Sequence, residues 1–277
     1  QLGTDVEEEP TGLGGQTGSE GVVVGDAEVA GGHGRGVCHG RRADGPPLPS
    51  SAVHVLFATA EMEPLVSTGG LGAASAGLVA ALRRDGVRVT PVLPGYRPWE
   101  LVGERVLQLT VPAWAGPAVA RIGTVPGLGE VAVIDAPSLP RPHPYVDPET
   151  GSGWRDNDHR FFAWSSAVAA LAMALRPDVV HVNDWHAATT LAHLRPGPAT
   201  VLSIHNLAHQ GWCDEGWVGA LGTRGERFRW KNSVNALAGG IALADRVVTV
   251  SPRYAVEITT EEGGMGLDQI GRASCRE

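Results

Sequence analysis

Four clusters of residues in this chain have the types and spacing to do chemistry. Ser67-Thr68-Gly69-Gly70 follows an apolar run and opens a helical pattern. Backbone N–H groups at a helix N-terminus attract anions, and glycine lets a ligand come close. The same glycine pair would also make a tight structural turn, and the residues leave both readings open. His181-Val182-Asn183-Asp184-Trp185-His186 brings imidazole, carboxyl and indole groups to the end of a second apolar run. An imidazole there either hydrogen-bonds a hydroxyl or backbone oxygen of a ligand, or packs as an ordinary edge residue. Ser203-Ile204-His205-Asn206-Leu207-Ala208-His209-Gln210-Gly211 repeats the arrangement, with His205, Asn206 and Gln210 placed either to meet a ligand or to order their own loop. Asp156 and Asn157 precede a long helical pattern, where they serve as helix caps or as site residues.

The elements that must position these groups alternate between strand and helix. Val53–Thr59 reads as a buried strand, and Leu71, Ser75, Leu78 and Leu82 give the following helix a core-facing stripe that Gly86 ends. Val87–Leu93 is the next strand. Residues 105–136 read as three short strands, and 137–155 as a long loop with five prolines. A helix over 157–175 carries Phe161, Trp164, Val168 and Leu171 on one side. Strands over 178–182, 200–204 and 246–250 alternate with helices over 185–194 and 232–244, and Ser251-Pro252 caps and opens another helix. This order specifies an α/β fold with a doubly wound, mostly parallel sheet, whose ligands bind beyond the carboxyl ends of the strands.

Composition excludes some functions. A net charge of −8 over 277 residues gives no surface for neutralising nucleic-acid phosphates, and the single lysine is Lys231. Cys38, Cys213 and Cys275 are scattered without zinc or disulfide spacing, which suits a reducing cytoplasm. No apolar run has spanning length, so no membrane segment is expected. Residues 1–51 hold many glycines and no aromatic residue before position 52, and read as a disordered or non-native segment. The last nine residues, 269–277, read as the in-frame translation of a common sequencing adapter.

In order, over 52–268, the motifs resemble the bacterial glycogen synthase and plant starch synthase family. Ser67-Thr68-Gly69-Gly70-Leu71 stands on that family's Lys-Thr-Gly-Gly-Leu, and Asp156–Phe161 on its Asp-Asn-x-x-Arg-Phe element. Residues 181–186 stand on His-x-His-Asp-Trp-His, and 204–211 on Ile-His-Asn-Leu-Ala-Tyr-Gln-Gly. Val248–Ile258 and Gly266-Leu267-Asp268 complete the match, with mainly structural duty. The resemblance implies the N-terminal half of a two-domain GT-B glycosyltransferase. Its reaction would move glucose, with retention, from ADP-glucose to an α-1,4-glucan without metal or cofactor. It places the transferred sugar at His186 and Asp156. It assigns substrate binding to Ser67, Thr68, Gly69, Gly70, Asn157, Asp184, Trp185, His205, Asn206 and Gln210. The missing C-terminal Rossmann-like domain would supply most of the nucleotide site, so the chain alone is expected to be inactive. Ser67 replaces the family lysine, Ala73 an aspartate, Asn183 a histidine and His209 a tyrosine. A serine brings one hydrogen bond and no charge to a phosphate. Those departures also admit a related transferase with another nucleotide sugar, or a non-catalytic sugar-binding domain.

Overall fold

The computed structural model describes residues 53–268 and the backbone of one short strand, β1 (Val22–Val24). Apart from that strand, the expectations for residues 1–51 and 269–277 lie outside the described residues. β2 (His54–Ala58) leads through a loop into α1 (Gly70–Arg84) and β3 (Arg88–Pro94). A meander follows: β4 (Val102–Leu109), β5 (Ala118–Val125) and β6 (Gly129–Asp135). After the proline-rich loop come α2 (Asn157–Leu175), β7 (Val179–Asn183), two short helices α3 (Asp184–Ala188) and α4 (Thr190–His193), and β8 (Ala199–Ile204). The rest is β9 (Trp212–Asp214), α5 (Trp217–Ala220), β10 (Arg229–Trp230), β11 (Ser233–Asn235), α6 (Ala236–Leu243), β12 (Arg246–Thr249) and α7 (Pro252–Glu257).

The large sheet has the order β1-β12-β8-β7-β2-β3-β6-β5-β4. β12, β8, β7, β2, β3 and β6 pair in parallel, while β6, β5 and β4 are antiparallel and β1 runs antiparallel to β12. This is the expected mostly parallel, doubly wound sheet. From β2 the chain winds outward through β3 and β6 on one side, and through β7, β8 and β12 on the other. The order therefore reverses between β2 and β7, and the crevice outside their carboxyl ends is where such a sheet takes its ligand.

Local sequence explains the main elements. β2 is buried along its whole length because helices cover both faces of a central parallel strand. Helix α1 ends as Gly86 predicts: with φ +82 it lets its own N–H reach the Arg83 carbonyl while the Val87 N–H reaches Leu82. The buried face of α1 is Leu71, Gly72, Ser75 and Val79, with Leu78 and Leu82 on its flank. Ser75, already in the expected stripe, keeps its hydroxyl satisfied there through Thr59 Oγ1 at the end of β2 (3.0 Å). α2 keeps its expected bounds but not a one-sided stripe. Every residue from Arg160 to Ala172 is buried, because α3, α4 and the Ala113–Ala115 turn pack on α2 as well as the sheet.

Two expected helices are shorter than their patterns. The 185–194 helix breaks at Thr189-Thr190, a β-branched pair, where Ala192 N–H bonds Thr189 in a tighter turn. The 232–244 helix starts only at Ala236, because Asn235 is its cap and accepts the Ala238 N–H (2.9 Å). Ser233–Asn235 instead joins a small unanticipated sheet, β10-β11-β9. Ser251 caps α7 as expected.

Candidate active site

The loop after β2 carries the glycine pair, and its geometry separates the two readings of it. Gly69 has φ −161, and neither Gly69 nor Gly70 takes a left-handed conformation. A Cβ added at either would meet nothing within 4 Å. Neither backbone conformation nor packing requires glycine there, so the tight-turn reading fails and open backbone remains for a ligand to approach. The Thr68 and Gly69 N–H groups, however, already have a partner. Both donate to Oε2 of Glu61, which is buried at 3% exposure. Ser67 is exposed, and its hydroxyl donates to Glu63 (3.2 Å).

Glu61 also ties this loop to the long one. Its Oε1 accepts the Tyr145 hydroxyl (2.6 Å), and the Tyr145 ring lies 4.8 Å from that of His186. Phe161 and Trp185 enclose His186 further, with ring centroids 4.7 and 4.4 Å away. Burial in this aromatic nest pushes the His186 imidazole down to about 3, so it is neutral at pH 7. Its Nδ1 is buried without a hydrogen-bond partner among the described residues. Its backbone carbonyl accepts the Ser165 hydroxyl (3.0 Å).

Asp184 begins α3 in a left-handed conformation, φ +53, a strained state for a non-glycine residue. Its Oδ1 accepts the backbone N–H of His205 (2.7 Å) and of Asn206, locking the loop after β8 against the end of β7. Burial raises this carboxyl to about 7, against the opposing pull of those two N–H groups, and the charge of Glu61 adds to the rise. Asn183 donates from Nδ2 to the Ala58 carbonyl (3.0 Å), leaving Oδ1 as acceptor for His205 Nε2 (3.0 Å). That pairing puts the proton of His205 on Nε2, and burial holds its pKa down to about 4.

Other sequence-selected residues hold the scaffold. Trp185 packs edge-on to Phe161 and is approached by Gly211, where an added Cβ would fall 2.5 Å from the indole and φ is +68. Asn206 accepts its own loop's Ala208 N–H (3.0 Å). Gln210 is buried between the Asn235 amide (2.7 Å) and the Met265 carbonyl (3.2 Å). Asp156 gives α2 no side-chain cap and pairs instead with Arg141 (2.6 Å). Asn157 donates to the Tyr145 carbonyl and accepts from Arg160 (both 2.8 Å).

The structure thus unites the glycine loop, Asp184, Trp185, His186 and His205 around the switch point. Asp156 and Asn157 join through Arg141 and the loop of Tyr145, while Gln210 is turned toward the 265 region. Three residues escape the sequence reading: Glu61, Tyr145 and Arg160. Arg160 is fully buried and donates to the carbonyls of Ser138, Leu139 and Pro144 as well as to Asn157, so one side chain fastens the proline-rich loop. Its place in the Arg-Phe pair was the available signal. Among the described residues no group of three or more His, Cys, Asp or Glu side chains could hold a metal ion, and no helix is long and apolar enough to cross a membrane.

The family described as the starch synthase catalytic domain matches residues 54–273. A glycogen synthase from Rhodopseudomonas palustris (strain BisA53) is 40% identical over 241 residues, covering 79% of this chain and 48% of its own length. One from Acidiphilium cryptum (strain JF-5) is 37% identical over 79% of this chain and 49% of its own length. The chain spans about half the length of the curated relatives it matches. Among solved structures, the catalytic domain of starch synthase IV from Arabidopsis thaliana, bound to ADP and acarbose, superposes with a TM-score of 0.68 at 28% identity. That match covers 81% of this chain and 50% of the other. With a family match over most of its length and a fold shared with a solved starch synthase structure, the chain belongs to the starch synthase catalytic domain family.

Proposed function

We propose that this chain is the N-terminal, acceptor-side domain of a retaining glucosyltransferase that moves glucose from ADP-glucose to an α-1,4-glucan in the cytoplasm. The observation that carries the reading is the open backbone at Gly69 and Gly70, tied through Glu61 and Tyr145 to the buried His186 group. Ligand approach explains these glycines where packing does not. The ADP in the starch synthase IV structure supports the choice of donor nucleotide, and its acarbose supports an oligosaccharide acceptor.

In this reading His186 and Asp156 act at the transferred sugar. His186, neutral at pH 7, contributes hydrogen bonding and shape, not charge. Thr68, Gly69 and Gly70 face the donor, and Asp184, Trp185 and His205 hold the floor of the pocket. Charge developing on the leaving diphosphate needs cationic partners. This domain offers Ser67 in place of a lysine, so a second Rossmann-like domain supplies them and the 277-residue chain is inactive alone. Radiolabelled transfer from ADP-glucose to maltohexaose by the complete gene product tests this, with the 277-residue chain assayed beside it. Transfer by the complete protein alone is expected. Transfer by the chain itself would overturn the inactivity. A folded complete protein that binds maltohexaose yet transfers from no nucleotide-glucose would leave a sugar-binding protein.

One observation favours a second reading. The Ser67 hydroxyl is engaged with Glu63, and no side-chain cation stands at that position. A related transferase with a different nucleotide sugar would tolerate this, and competition of UDP- and GDP-glucose against ADP-glucose separates the two.

A further inference from the structure

A groove of about 740 Å³ opens outside the carboxyl ends of β3 and β6. Prolines of two loops and Tyr96 line it. Arg97, Arg121 and Arg141 line it against a single acid, Asp135. The three cations are not equally matched. Arg121 is held between Asp135 (2.6 Å) and Glu104 (2.7 Å). Arg141 pairs with the half-exposed Asp156. Arg97 donates to the Leu65 carbonyl (2.9 Å), and among the described residues it makes no ion pair. The groove therefore has uncompensated positive charge at Arg97, with a second guanidinium nearby whose partner is accessible to solvent.

We propose that this groove binds a phosphate monoester, with Arg97 and Arg141 on the phosphate oxygens and the proline and tyrosine walls along the organic part. Guanidinium forks match phosphate oxygens in pairs. Two cations lining one groove suit a group carrying about −1.5 to −2 charges better than a singly charged carboxylate. Arg141 is common to the groove and to the Asp156 pair, so occupancy competes with the contact that holds Asp156. The site does not depend on the donor or on transfer activity. It stands or falls by a separate measurement.

Thermal unfolding of the 277-residue chain at constant ionic strength, titrated with inorganic phosphate, glucose 1-phosphate or maltotriose, tests it. Glucose 1-phosphate should raise the unfolding midpoint saturably, and Arg97→Gln should weaken half-saturation about tenfold or more. An equal response to inorganic phosphate would identify a site for the free anion. A stronger response to the sugar phosphate would identify the ester. No saturable response to either phosphate, a response to maltotriose that matches them, or one that survives Arg97→Gln would overturn the proposal. Should Arg97→Gln fail to fold, phenylglyoxal labelling of the unaltered chain gives the answer. Phosphate must protect Arg97, and an unprotected Arg97 overturns the site.

Discussion

At the scale of single residues, the buried histidines and Asp184 pull the pH dependence in opposite directions. Burial holds His181, His186 and His205 down to about 3, 3 and 4. The unfolded chain protonates histidine near ~6.5, so each contributes stability above that value and loses it as pH falls toward its folded pKa. Asp184, raised to about 7, contributes fully below about 4 and loses that stability as pH rises through 7. Each group has a limiting slope of roughly 1.4 kcal/mol per pH unit, and three histidines outweigh one aspartate. Denaturant titrations should show stability falling from about pH 6.5 toward pH 5, and Asp184→Asn should steepen that fall. The glycines divide just as sharply. Gly69→Ala and Gly70→Ala should leave stability within about 0.5 kcal/mol while weakening ADP-glucose binding by the complete protein. Gly211→Ala, strained at φ +68 and driven into Trp185, should cost about 2 kcal/mol or more in the same unfolding assay.

At the scale of elements, the proline-rich loop depends on a helix more than on itself. Residues 137–155 contain neither helix nor strand, and their carbonyls converge on Arg160 of α2. Arg160→Met would strand buried acceptors and the Asn157 side chain, at a cost of about 1–3 kcal/mol for each group left unpaired. Hydrogen exchange should then accelerate across 137–155 and at Tyr145 while β7 and β8 keep their protection. The extent of α2 could be read from the apolar pattern over 157–175. Its burial on every face could not, since a stripe says which side is apolar and not what will cover the other. Polar residues closing apolar runs, such as Asp184 and His186, stand out in the sequence. Glu61 and Tyr145 do not, because 84 residues separate them and only the fold makes them partners. The same holds for Gln210, whose place in a motif gave no hint that Asn235 and Met265 would claim its amide.

At the scale of the whole molecule, the site belongs to no single segment, since β2, the proline-rich loop, β7 and β8 each supply part of it. β2 pairs with β3 through a local connection, but its other neighbour, β7, arrives far later, and the backbone N–H of His54 finds Asp178 across 124 residues. During synthesis the meander side of the sheet can therefore assemble while the centre of the molecule still has a bare apolar edge. Such edges recruit other chains, and distant parallel pairings close slowly. The position that makes β2 the hub of the pocket thus sets an order of events. Nascent chains wait with their central strand half-paired, in need of protection by a chaperone or by speed, until β7 emerges to complete it.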